Sequence, residues 1–220
     1  PGWVDAHTHL VFGGWRQHEI PLKLKGASYL EILQSGGGIL DTVRQTRALG
    51  EDALFEHAKG FLVEQLALGI TATEAKSGYG LDLENELKQL RVLARLKNEA
   101  GFDVMPTYMG AHAVPPEFAG KPDAYVEFIC TEVLPRVAKE HLAQFCDVFC
   151  ETSVFSVRQS RRVLETAKSL GLGLKVHADE IDSLGGAELA GELGAVSTEH
   201  LIAASDAGIS ALAKGGVTAC

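Results

Sequence analysis

Short apolar, β-branched runs alternate with amphipathic helical stretches along the whole chain, and this alternation is the strongest constraint on its fold. The strand-like runs cover residues 4–10, 70–75, 103–109, 146–150, 172–177, 195–198 and 217–220. Helical spacing predicts helices over 39–49, 52–68, 83–100, 125–141, a stretch ending at Leu170, 186–193 and 206–214. Strands separated by helices must cross over and pair in parallel, so the class is α/β. The two candidates are a (β/α)8 TIM-type barrel and an open doubly wound sheet. His7/His9, Tyr79, His112, Glu151, His177/Glu180 and His200 all fall at the C-terminal end of a strand or just after it. That is the rim where such barrels carry their chemistry, whereas an open sheet gathers ligands at one switch point. The barrel is therefore expected, truncated after about seven strands, and the chain is expected to be a piece of a longer protein.

Local signals support these boundaries. Leu83, Leu87, Leu90, Leu93 and Leu96 form one helical stripe, with Asp82 as N-cap and Gly101 as terminator. Pro135 predicts an irregularity within the helix over 125–141. The segment 12–35 is a polar-apolar excursion ending in Gly36-Gly37-Gly38. That run lacks the Lys-Ser/Thr of a phosphate loop and is expected to be a flexible βα connection.

Composition narrows the function class. A hydrophobic fraction of 46% over 220 residues suffices for one large core. A net charge of −9 argues against nucleic-acid and anionic-membrane partners. No run has the length of a membrane-spanning helix, and no basic-then-apolar leader opens the chain. Cys130, Cys146, Cys150 and Cys220 include no C-x-x-C pair and are expected to be reduced and buried, as suits a cytoplasmic protein.

His7 and His9 stand two apart in a strand, so their side chains share a face. An isolated H-x-H also fits a solvated strand face. With His177 at the end of the fifth strand, it gives three nitrogen ligands converging from two strands, the donor set of a catalytic zinc or iron centre. A fourth, carboxylate ligand would belong on an eighth strand.

Asp5-Ala6-His7-Thr8-His9, Lys175-Val176-His177-Ala178-Asp179-Glu180 and Thr198-Glu199-His200 together resemble the amidohydrolase superfamily of metal-dependent hydrolases. Within it, the stretches 9–16, 76–81 and 108–115 closely resemble the family of imidazolonepropionases. The resemblance runs the length of the chain. It implies hydrolytic opening of 4-imidazolone-5-propionate to N-formimidoyl-L-glutamate, a step of histidine degradation, by a homodimeric enzyme with one divalent ion. It implies His7, His9 and His177 as metal ligands, and Arg16, Tyr79, His112 and Glu180 as contacts to a small anionic substrate. It places His200 near the reacting water. The family's metal-binding Asp and its small β-sandwich have no counterpart in residues 1–220. Binuclear members of the superfamily carry a carboxylated lysine where this chain has Glu151, which suggests a single ion.

The residues support these roles on their own chemistry. Arg16, in the loop after the first strand, offers a planar fork to a carboxylate. Tyr79 lies between two glycines with a hydroxyl to donate, although a loop aromatic packed on a neighbour reads the same way. Glu180, three residues past His177, is placed to move a proton, and His200 to orient water. His18, His57 and His141 are read as structural or solvated, and Lys175 receives no role. A deaminase acting on a purine or pyrimidine, with the same metal set, is the alternative. A non-catalytic barrel has no need of the intact histidine set.

Overall fold

The computed structural model describes residues 2–27, 31–32 and 36–220; the parts of the 12–35 excursion at 28–30 and 33–35 lie outside them. Seven parallel strands pair strictly in chain order: β1 (Trp3–Thr8), β2 (Ile70–Lys76), β3 (Asp103–Ala111), β4 (Phe145–Cys150), β5 (Gly173–Ala178), β6 (Ser197–His200) and β7 (Thr218–Ala219). Among the described residues, the α-helices defined over their whole length are α1 (Ile20–Leu24), α2 (Ile39–Ala48), α3 (Glu51–Ala67), α4 (Leu83–Asn98), α5 (Pro122–Phe128), α6 (Leu134–Lys139), α7 (Val157–Ser169), α8 (Gly186–Leu193) and α9 (Asp206–Gly215).

The sheet curls strongly. Five strand spacings of about 4.8 Å would hold β1 and β6 about 24 Å apart in a flat sheet. Instead His7 Nδ1 of β1 lies 3.2 Å from Glu199 Oε2 of β6. The chain thus forms seven strands of a (β/α) barrel, with β1 and β7 at the sheet's two edges.

Strand alternation sorts the two faces. Ala75, Val104, Tyr108, Cys146, Val148, Cys150, Leu174, Val176 and Ala178 pack outward in one core with the helices. The positions between them, Glu74, Lys76, Thr107, Asp147, Lys175, Ser197 and Glu199, are also buried, on the inner face. Of the Leu stripe on α4, Leu87, Leu90, Leu93 and Leu96 are fully buried, and Asp82 caps the helix by accepting from Asn85 N at 2.8 Å.

Differences from the sequence reading have local causes. The helix expected over 125–141 is split by a π-helical turn, Ile129–Val133, between α5 and α6. Pro135 has no N–H to donate back to Thr131, and the wider turn absorbs the mismatch. Regular pairing of β6 begins two residues later than expected, after Val196 N has bonded Leu174 O at 2.8 Å. Cys130, Cys146 and Cys150 are buried free thiols, but Cys220 is exposed, since it follows the edge strand β7. The triple glycine is clasped: Gly38 N donates to the buried Glu19 Oε1 at 2.6 Å, and Gly38 adopts φ 64°.

Candidate metal centre

β1 and β5 bring His7, His9 and His177 together. Their ligating atoms all lie within 4.8 Å of one another, and His9 Nε2 stands 3.3 Å from His177 Nε2. Two nitrogens each about 2.0–2.1 Å from one tetrahedral ion are separated by about 3.3 Å, so the donor set fits. Burial holds His9 well below the usual imidazole range, helped by the surrounding histidines. Burial also brings His177 down to about 4, against the pull of Asp147. Both rings are therefore neutral, the form that ligates.

Carboxylates beneath the rings set which nitrogen carries the proton. His177 Nδ1 lies 3.0 Å from Asp147 Oδ2, and His7 Nδ1 3.2 Å from Glu199 Oε2. Both contacts are within ion-pair range, though bent from in-line hydrogen-bond geometry. A carboxylate beside Nδ1 favours the tautomer protonated there, and His177 Nε2 stands toward His9 Nε2. Asp147 is pushed up by burial, but His177 and Lys76 outweigh this and hold it well below the usual carboxylate range. Glu199 is held at about 2: burial raises it, and His7, Ser197 and the lysines more than compensate. His9 has no such support; its Nδ1 is buried without a partner among the described residues, and its ring stacks on His112 at 4.8 Å.

One cavity of about 300 Å³ joins these three histidines to Arg16, Tyr79, His112, Glu180 and His200, with Ile39, Phe149 and Ile181 also lining it. His112 Nδ1 lies 3.0 Å from Gly78 O, and burial pushes its pKa down to about 3, so its Nε2 is an acceptor. Burial raises the Tyr79 hydroxyl, with Arg16 pulling it back, which keeps it a donor. His200 Nε2 stands 3.7 Å from Glu180 Oε2, and its ring centroid lies 4.9 Å from that of His177.

The rim loops are held from below by groups the sequence reading missed. The buried Glu86 carboxylate accepts from Gly78 N at 3.2 Å and from Gly80 N and Leu81 N at 2.8 Å. Gln89 accepts from Tyr79 N at 3.1 Å and donates to Val11 O at 2.6 Å, tying the Tyr79 loop to the loop that carries Arg16. Gly78 has φ 104°, and a Cβ there would sit 2.7 Å from Met109 O, so only glycine fits. Asp179 accepts from the backbone N–H groups of Leu184, Gly185, Gly186 and Ala187, anchoring the loop of Glu180 to the start of α8. Asp179, His200 and Leu201 all have positive φ, a strained conformation for such residues, and lie together on the rim.

Glu151 does not line the cavity. Its carboxylate accepts from Thr152 N at 2.7 Å, Ile181 N at 2.8 Å and Asp182 N at 3.3 Å, so it steadies the loop after β5. Of the histidines set aside, His57 contacts Phe12 O at 3.0 Å and His141 lies just past the end of α6 with φ 53°. His18 joins Glu19 and Asp41 in a second close group. Those carboxylates are engaged, Glu19 with Gly38 N and Asp41 with Arg44 and Gln45, so that group acts as a loop clasp.

A signal for the missed interior was present. Glu74-x-Lys76, Lys175-x-His177 and Ser197-x-Glu199 repeat the two-residue spacing of His7-x-His9. Charged residues at alternate strand positions mark an inner face once the sheet is known to close.

Comparison with known proteins gives a consistent picture. No family model matches the chain. It is 56% identical over 213 residues to the imidazolonepropionase of Clostridium tetani, covering 97% of this chain and 51% of that protein. It is 54% identical over 221 residues to the imidazolonepropionase of Bacteroides fragilis, covering 100% of this chain and 53% of that protein. The chain thus spans about half the length of these relatives. Among solved structures, a 5-methylcytosine deaminase from Klebsiella pneumoniae superposes with a TM-score of 0.69 at 16% identity, over 100% of this chain and 53% of its own. A Xaa-Pro dipeptidase superposes with a TM-score of 0.63 at 13% identity, over 100% of this chain and 52% of its own. At such identities the likeness is one of fold.

Proposed function

The chain belongs to the imidazolonepropionase family, and from that premise we propose that the whole protein hydrolyses 4-imidazolone-5-propionate to N-formimidoyl-L-glutamate. The observation that carries this reading is the meeting of His7, His9 and His177 with Arg16, Glu180 and His200 around one cavity. His7, His9 and His177 would hold one zinc or iron(II) ion. When bound, such an ion supplies Lewis acidity and makes water a nucleophile near neutral pH.

The chain's own groups do the rest. Arg16 takes the propionate carboxylate in a two-bond fork, its planar geometry matching the two oxygens. Tyr79 donates to the substrate, and His112, neutral with Nε2 free, accepts from a ring N–H. Glu180 removes a proton from the attacking water. The water oxygen bonds the ring carbonyl carbon, the carbon–nitrogen bond breaks, and Glu180 returns the proton to the departing nitrogen. His200, within 3.7 Å of Glu180, orients the water or polarises the carbonyl. The buried apolar side chains Ile39 and Phe149 limit solvent around these groups.

The same reading makes the protein a cytoplasmic enzyme of histidine degradation acting as a homodimer. The homodimer rests on the family resemblance alone. A net charge of −9 supports the reading that neither nucleic acid nor an anionic membrane is a partner, and among the described residues no helix is long and apolar enough to cross a membrane. The test is a turnover comparison on the whole protein with imidazolonepropionate, guanine and cytosine. Preferential turnover of imidazolonepropionate is expected, and faster deamination of either base would overturn the reading.

A further inference from the structure

Five ionisable side chains fill the barrel interior beneath the three histidines. Asp147 Oδ2 is 3.0 Å from His177 Nδ1 and 2.9 Å from Lys76 Nζ. Lys76 Nζ donates to Glu74 Oε1 at 2.8 Å, and that oxygen lies 3.9 Å from Lys175 Nζ. Lys175 Nζ is 3.4 Å from Glu199 Oε1, and Glu199 Oε2 ends the path 3.2 Å from His7 Nδ1. Thr107 donates to Glu74, and Ser197 to Glu199 at 2.7 Å. None of the five side chains is more than 7% exposed. An unbroken run of charged contacts therefore joins His177 on β5 to His7 on β1 through β4, β2, β5 and β6.

Barrel interiors are ordinarily filled by layers of branched apolar side chains. Buried ion pairs seldom stabilise more than apolar residues of the same volume, so stability alone does not account for five of them. Both ends of the run meet the Nδ1 atom of a histidine that lines the pocket. His9, the remaining member of the group, is not reached by it.

We propose that Asp147, Lys76, Glu74, Lys175 and Glu199 act as one positioning unit that holds the His7 and His177 rings by their Nδ1 atoms in the orientation in which, with His9, they would take up a single ion, an inference that rests on the metal-site reading above. Lys76 touches no histidine. It fixes Asp147 Oδ2 from one side and Glu74 from the other, and so couples the two ends.

The experiment measures zinc affinity of the metal-stripped whole protein by competition with a chelator, and needs no turnover. His9→Ala is the reference variant and is expected to lose zinc affinity outright. Asp147→Asn and Glu199→Gln are each expected to weaken zinc about 10–100-fold, the usual range for groups that support metal ligands. Lys76→Met is expected to weaken it about tenfold, to be rescued by Lys76→Arg, and to add little in the Asp147→Asn background, because members of one network are not additive. Circular dichroism of the stripped proteins separates these effects from unfolding. Should Lys76→Met fail to fold, Ser197→Ala replaces it, since it removes one bond from Lys175 and Glu199 without stranding a charge; a several-fold loss is expected. Zinc affinities of Asp147→Asn and Glu199→Gln within twofold of the parent, with His9→Ala impaired, would overturn the positioning unit alone. Fully additive losses for Lys76→Met and Asp147→Asn would overturn the coupling. An unchanged His9→Ala, or a parent that binds no zinc, would overturn the metal reading and this inference with it.

Discussion

Glu86→Gln tests whether a carboxylate outside the cavity sets the order of its rim. Glu86 is 1% exposed, and its two oxygens receive the N–H groups of Gly78, Gly80 and Leu81. Gln keeps one acceptor oxygen, which can retain Gly80 and Leu81. Its NH2 group replaces the other oxygen that Gly78 N–H shares, donor against donor, and leaves that N–H only its long 3.2 Å contact with the retained oxygen. A buried N–H left so poorly paired costs part of the roughly 1–3 kcal/mol of a stranded one. The two retained bonds lose their charge assistance, worth roughly 1 kcal/mol together, and the smaller cost of burying a neutral amide offsets part of this. A net destabilisation of the closed loop of about 2 kcal/mol corresponds to about a 30-fold rise in its opening equilibrium. Native-state hydrogen exchange reads this directly: the amides of Gly78, Gly80 and Leu81 should exchange about 30-fold faster, while core amides of β4 and β5 stay within a few-fold of the parent. KM should rise, because Tyr79 rides on the loop. Unchanged exchange at these three amides, together with an unchanged KM, would refute the reasoning.

Three further outcomes are expected of the whole protein. Arg16→Lys should raise KM about 10–100-fold with little change in kcat, since an ammonium cannot replace a two-bond fork; steady-state kinetics checks this, and unchanged constants would remove Arg16 from the substrate site. Glu180→Gln should lower kcat by roughly 10²–10⁴-fold with metal content unaltered, the range for a general acid–base group; a near-normal kcat with a raised KM would leave Glu180 only a binding role. Chelation should abolish activity and lower stability in calorimetry, with both restored by zinc or iron(II), and the gain should reach about 2.7 kcal/mol at a hundred times Kd; a chelator-treated protein of undiminished activity would count against a metal enzyme.

Much of this structure was legible beforehand because strand ends are conspicuous. An isolated His177 after an apolar run, or Arg16 after H-x-H, stands out against its neighbours. The eight residues given metal, substrate or catalytic roles from the sequence share one cavity, and Glu151 stands outside it, because consecutive parallel strands deliver their C-terminal ends to one rim. The supporting groups were not legible for a corresponding reason. Glu74, Lys76 and Asp147 sit where strand periodicity permits a charge, and the same pattern describes a solvated face in a sheet that stays open. Only closure, seen in the contact of His7 with Glu199, turns that face inward. The triple glycine looked loose because its restraint, Glu19, lies 19 residues from Gly38 in sequence. Cys220 was judged by residue type, and its place after an edge strand decided otherwise. Pro135 announced an irregularity, but nothing in the sequence specified a π-turn as the remedy.

The wide separation of the clustered histidines along the chain also bears on how fast the protein comes apart. His9 and His177, whose Nε2 atoms lie 3.3 Å apart, are separated by 168 residues. Closing so long a loop is entropically unfavourable until the strands between are paired, so the histidine group assembles late. An ion that recognises only the assembled group stabilises the native state and leaves the folding transition state nearly untouched. Its whole effect then falls on one rate: the loaded protein unfolds more slowly, and refolds no faster, than the stripped one.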